Sequence, residues 1–283
     1  VLRTYYATRN TVTRIRQKSA DLRHVVQTNL ERARKKYDLQ SKQLQGTEGR
    51  EKYKVYGELI NTYGYNLDPE AKSLTCLNYY TNEDITIPLD PQKTPQENAQ
   101  KYFAKYNKQK TADEISYLES VSNSLDIALS EADLGQIKEE LTASGYVRRK
   151  FTKKKVKLTN KPMHYISSDG YDIYVGKNNI QNDELTFSFA NGGDWWFHAK
   201  GAPGSHVIVK TNGDELPDRT FEEAGRLAAY YSKNRGSDKV DIDYIEKKHV
   251  KKPNGAKPGF VVYYTNYSLV IDSDISNIKV VQD

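Results

Sequence analysis

Apolar positions in the first part of the chain recur at helical spacing. Ile15, Leu22, Val26, Leu30, Ala33, Tyr37 and Leu44 follow steps of three and four residues or their multiples, which predicts a helix over about 12–44. The other face carries Arg14, Arg16, Glu31, Arg32, Lys35 and Lys36. So narrow an apolar seam needs a partner helix. Gly46 and Gly49 break the pattern, and Tyr53, Tyr56, Leu59 and Ile60 mark a shorter helix over about 51–62. Strand-like runs at 74–80 and 85–87 flank Thr81-Asn82-Glu83-Asp84 and predict a small hairpin. Pro88, Pro91 and Pro95 end that unit, and Pro95 suits a first helical position. A second long helix is predicted over about 95–144. Ile115, Leu118, Leu125, Leu129 and Ala132 form its heptad seam, with Ser122 in one core slot. Gly135 weakens that seam before Ile137 and Leu141 resume it.

Two long seams around a small mixed unit predict an antiparallel coiled-coil arm, each helix reaching on the order of 60 Å. Residues 1–147 form this arm, with a middle subdomain over about 50–92 as its tip. A basic segment over 148–162 follows. The remainder, 163–283, reads as a compact α+β domain with a mainly antiparallel sheet. Its predicted hairpin joins Met163–Ile166 to Tyr171–Val175 around Asp169-Gly170. Asn182 or Asp183 caps a short helix to about Ala190. Two strands flank Pro203-Gly204. A helix from Thr220, with Glu222 and Glu223 in its first turn, runs to about Asn234. Strands follow at about 240–244, 259–264 and 267–272, the last two joined near Thr265-Asn266.

Composition adds a bias rather than a class. Hydrophobic residues make up 37% and charged residues 28% of 283, which suits a chain with long solvated helices. Tyrosines number 22 against 7 phenylalanines, a choice that buries a ring while keeping a polar tip wet. The net charge of +6 is uneven: residues 1–147 hold 21 basic and 20 acidic side chains, residues 148–283 hold 22 and 17. A basic excess confined to one half favours an anionic partner, most often nucleic acid. Cys76 is the single cysteine, so an intrachain disulfide is excluded and a reducing compartment fits best. No apolar run approaches the roughly 18–20 residues of a membrane span. Val1 opens the chain and Met163 is its one methionine, which suggests an excised fragment.

Chemistry-bearing motifs are sparse. The chain has no P-loop, no G-x-G-x-x-G after a strand, no G-x-S-x-G and no H-E-x-x-H. The densest candidate is Asp194-Trp195-Trp196-Phe197-His198-Ala199-Lys200-Gly201-Ala202-Pro203-Gly204-Ser205-His206-Val207. It holds both tryptophans and two of the five histidines. His198 and His206 facing each other near Asp194 would make a small metal site, but buried structural histidines are commoner and no metal is expected. Ser205 and His206 make a poor nucleophile pair, because neighbours on a strand point to opposite faces. The sequence therefore gives no reason to expect an enzyme or a cofactor.

Binding features are stronger. Arg148, Arg149, Lys150, Lys153, Lys154, Lys155, Lys157 and Lys161 form a cation string without an acid, suited to phosphate binding or to a solvated linker. Lys247, Lys248, Lys251, Lys252 and Lys257 form a second cluster around Pro253-Asn254-Gly255 and Pro258-Gly259. It reads as a stiff phosphate-binding loop or a basic connection. Trp195, Trp196 and Phe197 alternate faces on their strand, which leaves two readings: a ring beside Lys200 stacks on a base, or both indoles are core.

At these residues the chain resembles the C-terminal half of the NFACT family, which includes fibronectin-binding protein A-like proteins of bacteria and ribosome-associated quality-control factors. Four segments carry the likeness in order and spacing. They are Gly176-Lys177-Asn178-Asn179, the Asp194–Val207 stretch, Leu227-Ala228-Ala229-Tyr230-Tyr231-Ser232-Lys233, and Val250–Gly259. Tyr56-Gly57-Glu58-Leu59, Ile87-Pro88-Leu89-Asp90 and Thr94–Ala99 resemble the family's arm and middle domain. Ala199, Gly201 and Ala202 depart from the bulkier or acidic residues common there, which puts side-chain contacts at those positions in doubt.

The resemblance implies a non-catalytic fragment that binds the large ribosomal subunit and its RNA in the handling of stalled nascent chains. Arg148, Arg149, Lys150, Lys153, Lys154, Lys155, Lys248, Lys251, Lys252 and Lys257 are the expected phosphate contacts. Asp194, Trp195, Trp196, His198, Lys200, Pro203, Gly204, Ser205 and His206 form the expected signature hairpin. The family's N-terminal and helix-hairpin-helix regions, which hold transfer RNA and support alanine tailing, are missing, so tailing by this fragment alone is not expected. The implied location is the cytoplasm, on ribosomes. The alternative is a surface adhesin binding fibronectin or fibrinogen without a recognisable signal. A homodimer through the coiled coil stays open.

Overall fold

The structure, a computed structural model, describes residues 2–43, 50–68, 70–148, 160–253 and 255–281. It divides into two compact units, 29–116 and the combination of 1–28 with 117–283. About 48% of the described residues are helical and 18% strand.

The first predicted helix begins earlier than expected, as α1 (Leu2–Lys18) and α2 (Ala20–Gln43). Ser19 between them is fully buried and keeps the helical hydrogen bonds, its N–H donating to the Ile15 carbonyl and its own carbonyl accepting from Arg23. The seam residues Ile15, Leu22, Val26, Leu30 and Ala33 are buried as the spacing predicts. Tyr37 is only partly covered, and Leu44 lies outside the described residues.

In the unit 29–116, α3 (Arg50–Tyr63) leads to an antiparallel hairpin of β1 (Ser73–Asn78) and β2 (Glu83–Pro88), in register Ser73 to Pro88. The turn falls at Tyr79–Asn82, earlier than predicted, because Asn82 takes the left-handed conformation (φ 58°) that asparagine tolerates. Tyr53, Leu59, Ile60, Leu74, Ile87, Ala99 and Tyr102 form its core. Next comes α4 (Pro95–Ile127), opened by a reciprocal cap. The Thr94 N–H donates to Glu97 at 2.8 Å, and the Glu97 N–H donates to the Thr94 hydroxyl at 3.2 Å.

The second long helix does not continue to residue 144. It stops at Ile127 and restarts as α5 (Glu131–Ala143), so the break lies at 128–130 and not at Gly135. The reason is a capping box at Ser130. The Leu129 and Ser130 N–H groups donate to the Asp133 carboxylate, and Asp133 N–H donates to the Ser130 hydroxyl. Leu129, expected in the seam, is therefore exposed. Lys18–Glu131 and Arg23–Asp126, each 2.5 Å, set the beginning of the chain antiparallel to this stretch. Tyr117, Leu118, Val121 and Leu125 are all buried, a stripe wider than a coiled-coil seam. Part of their cover is the sheet domain, to which Asn123 donates a hydrogen bond at the Tyr231 carbonyl (3.1 Å).

That sheet, among the described residues, has seven strands in the order β8-β7-β5-β6-β4-β3-β9, and every neighbouring pair is antiparallel. The strands are β3 (Met163–Ile166), β4 (Asp172–Val175), β5 (Trp195–Ala199), β6 (Val207–Val209), β7 (Val240–Glu246), β8 (Tyr267–Ile271) and β9 (Lys279–Val280). Two helices accompany them, α6 (Asn179–Glu184) and α7 (Asp218–Tyr230). Helix α7 covers one face through Ala224, Leu227 and Ala228 against Ile173, Phe197, Val207 and Ile242. The opposite face, with Trp196, Ile208 and Ile245, lies under Leu185, Phe187, Val250, Val261 and Tyr263. Burying both faces explains the run of apolar residues on β5 and β6 where strict alternation would suit a half-exposed sheet.

Two predicted elements differ. The short helix starts at Asn179, capped by the Asn178 side chain, and passes into a π-helical turn at Leu185–Phe189. The 259–264 strand does not form; that segment makes a single bridge, Lys251 to Val262, and Gly259 takes a positive φ of 78°.

Candidate nucleic-acid interface

The four sequence segments that carry the family likeness meet at one buried polar junction. From the first segment, the Gly176 N–H donates to the His206 carbonyl (3.1 Å). Asn179 lies against Gly259 so tightly that a Cβ there would approach its Oδ1 to 2.7 Å. In the hairpin segment, His206 N–H donates to Asn182 Oδ1 (3.0 Å), and Ser205 N–H donates to the Tyr231 carbonyl of the third (3.1 Å). Gly204 bridges Ser232, and Lys233 N–H donates to the Pro203 carbonyl. From the fourth, Gly259 N–H donates to the Asp183 carboxylate (2.9 Å), and Lys252 pairs with its other oxygen. Asn178, Asn179, Gln181, Asn182 and His206 are nearly fully buried here, where each polar group needs a partner.

This packing makes Gly176 sensitive. A Cβ would sit 2.2 Å from Asn182 Oδ1, which is held by His206. Gly176→Ala is expected to cost about 2 kcal/mol of domain stability. Chemical denaturation checks this, and a loss under about 0.5 kcal/mol would show that Asn182 moves aside freely.

The hairpin residues weighed and set aside as a metal or nucleophile site are held in structural contacts. Asp194 is buried among partners other than the histidines. It accepts from the Asn191 and Thr211 N–H groups and pairs with Lys210. Burial pushes the His198 imidazole down to about 4, and pushes His206 well below the usual histidine value. His206 Nδ1 bonds the Thr186 hydroxyl at 2.8 Å, not Ser205. Among the described residues no group of three His, Cys, Asp or Glu side chains is placed to hold a metal ion.

The aromatic expectation resolves by face. Trp196 is fully buried against His206 and Tyr263, so it stacks on nothing outside the protein. Trp195 is only partly covered. Lys200 leans on Asp243 (3.5 Å) and Ser268 (3.3 Å) rather than standing beside an open ring. A row of rings crosses the sheet on the α7 face. Phe197, Tyr244 and Tyr267 are direct cross-strand neighbours, with centroids 5.5 Å apart at each step and interplanar angles of 16° and 27°. The row ends at Tyr267, which is 61% exposed on the edge strand β8. Beside it lies a cleft lined by Trp195, Glu246, His249, Asn266 and Tyr267. The sequence missed Tyr267; its signal was the run Tyr263-Tyr264-Thr265-Asn266-Tyr267 in a chain already rich in tyrosine.

The basic residues separate into three groups. Arg148 is exposed; Arg149, Lys150, Lys153, Lys154 and Lys155 lie outside the described residues. Two cluster lysines are engaged internally. Lys252 pairs with Asp183, and Lys257 lies 3.8 Å over the Tyr117 ring and 5.0 Å over Tyr146. Lys248 and Lys251 are exposed, and Lys247 is half-buried beside them. Lys248 shares Glu246 at 2.5 Å, and the side chains of Lys247 and Lys251 form no ion pair among the described residues.

Comparison with known proteins gives the family. A model of the NFACT N-terminal and middle domains matches residues 1–160, and one of the NFACT protein RNA-binding domain matches residues 161–264. The chain belongs to the NFACT family. It is 41% identical over 288 aligned positions to the Rqc2 homolog RqcH of Streptococcus suis, covering 97% of this chain and 52% of that protein. For the Rqc2 homolog RqcH of Bacillus subtilis the figures are 39%, 94% and 49%. The human ribosome quality control complex subunit NEMF matches at 30% over 139 residues, 48% of this chain and 12% of that protein. The chain thus spans about half the length of the bacterial relatives. A solved structure, the C-terminal part of the fibronectin/fibrinogen-binding protein of Streptococcus suis, superposes with a TM-score of 0.66 at 37% identity, covering 94% of this chain and 99% of that one. The family descriptions name domains and RNA binding, and no reaction. Among the described residues no helix is long and apolar enough to cross a membrane.

Proposed function

We propose that this chain is the ribosome-binding half of a cytoplasmic quality-control factor, and that its sheet domain docks on RNA of the large subunit carrying a stalled nascent chain. The observation that carries this reading is the coincidence of the RNA-binding domain match over 161–264 with the exposed Lys248 and Lys251 and the half-buried Lys247 between β7 and the loop. The relatives named for ribosome quality control support the setting. Lys247, Lys248 and Lys251 contact phosphates, with Arg148 and the basic segment after it as a second contact. Lys252 and Lys257 serve instead to fix the loop that presents them. Binding then depends on counterion release and weakens with salt.

The test is co-sedimentation with large subunits carrying stalled chains. Lys247→Glu with Lys251→Glu should lower the bound fraction about tenfold at 150 mM salt while leaving the fold intact. Unchanged binding would remove this cluster from the interface. The similar Streptococcus suis structure, described as fibronectin/fibrinogen-binding, favours a second reading in which the same basic, tyrosine-rich surface holds a matrix protein. Surface plasmon resonance on fibronectin before and after nuclease treatment separates the two, because a signal lost to nuclease reports RNA bridging.

A further inference from the structure

We propose that the ring ladder Phe197–Tyr244–Tyr267 is completed by an unpaired base of single-stranded RNA, stacked on the exposed face of Tyr267. This rests on the RNA-binding reading above and adds a site to it. The ladder starts in the core, where Phe197 is fully buried, and steps outward through the half-buried Tyr244. At Tyr267 the sheet ends, since β8 is an outer strand, and the last ring has no further ring beyond it among the described residues. Helix α7 holds the row from behind through Phe221, 5.4 Å from Tyr244 and 4.9 Å from Trp195. A flat ring fixed in this way loses little freedom when a base stacks on it.

The surroundings suit a base rather than an apolar side chain. Trp195 closes one wall, its ring 6.3 Å from Tyr267. Asn266 donates its Nδ2 to the Tyr267 carbonyl (3.2 Å) and to the Ser268 hydroxyl (3.3 Å). Those bonds fix the amide orientation and leave Oδ1 as an acceptor for a base edge. His249, 51% exposed, also lines the cleft. Lys247, Lys248 and Lys251 follow directly from the end of β7, so a strand whose base enters the cleft finds cations for its phosphates. Stacking needs a base freed from pairing, which makes the ligand single-stranded.

The experiment titrates the full chain with an octamer of adenylate, single-stranded or annealed to its complement, and follows tryptophan fluorescence. The wild type should bind the single strand at least tenfold more tightly than the duplex, with quenching, because Trp195 lines the cleft while Trp196 is buried. Tyr267→Ala and Tyr267→Leu should each weaken single-strand binding about tenfold, abolish the preference over duplex and leave the salt slope unchanged, whereas Tyr267→Phe retains binding. The leucine variant keeps apolar cover over the sheet edge, so equal losses in both report the ring and not folding. Wild-type affinity in both Tyr267 variants, with binding still lost in Lys247→Glu/Lys251→Glu, would overturn the stacking site while sparing the RNA reading. Absence of RNA binding by the wild type would overturn both.

Discussion

Replacing Asp194 by alanine is expected to lower the unfolding free energy of the sheet domain by about 3–5 kcal/mol, the largest effect of any single side chain discussed. The carboxylate is 2% exposed and satisfies two backbone N–H groups, those of Asn191 and Thr211, as well as Lys210, whose side chain is only 14% exposed. Removing it takes away the shared acceptor of a buried ammonium and two backbone donors. Asp194→Asn keeps an acceptor and should cost roughly half as much. Both tryptophans of the chain lie at 195 and 196, so denaturant unfolding followed by tryptophan fluorescence reports this domain alone. A loss below about 1 kcal/mol would mean that Asp194 behaves as an exposed surface pair.

The second expected effect is pH-dependent and centres on Glu140. This carboxyl is 2% exposed between α5, α6 and Tyr117; burial pushes it up to about 7, offset in part by the 2.8 Å hydrogen bond donated by Asn179. Its other oxygen has no hydrogen-bond partner among the described residues. Because the folded state keeps a proton that the unfolded chain releases near pH 4.5, stability from this group is highest at low pH. It falls as pH rises from about 4.5 to 7 and stays low above that, by on the order of 3 kcal/mol in all. His198, held down to about 4, acts with the opposite sign, losing stability as pH falls from 6.5 toward 4. The difference between wild type and Glu140→Gln isolates the carboxyl: the variant should match the wild type near pH 4.5 and exceed it at pH 8. Parallel stability curves for the two proteins would show that the buried carboxyl does not titrate in this window.

How much of this was legible in the sequence depends on the range of the interaction. The seam from Ile15 to Ala33 was visible because helical periodicity is local, and the start of α4 because Pro95 suits a first helical position; the reciprocal cap between Thr94 and Glu97 appears only in the structure. The break before α5 was missed since apolar spacing runs through Leu129 while the decisive bonds come from Ser130 and Asp133. The four segments that carry the family likeness were each readable as a pattern, but only folding brings Gly259 against Asn179 and Ser205 against Tyr231. The candidate phosphate contacts suffered most. Lys252 and Lys257 look like their neighbours in sequence, yet Asp183 and Tyr117, each some 70 residues or more away, engage them. The Asp194–Val207 hairpin, the densest candidate in the sequence, is a structural joint. Recognition moves to its outer neighbours, Lys247 to Lys251 and Tyr267.

The most direct test of the account is the salt dependence of binding to large-subunit ribosomal RNA, measured by filter binding between 50 and 200 mM salt. The account predicts a linear fall of log affinity with log salt, with a slope that becomes less negative by about 1 for each of Lys247→Glu and Lys251→Glu. It also predicts that Lys257→Glu changes domain stability more than that slope. Affinity that does not vary with salt, or a slope untouched by both the Lys247 and Lys251 variants, would contradict it.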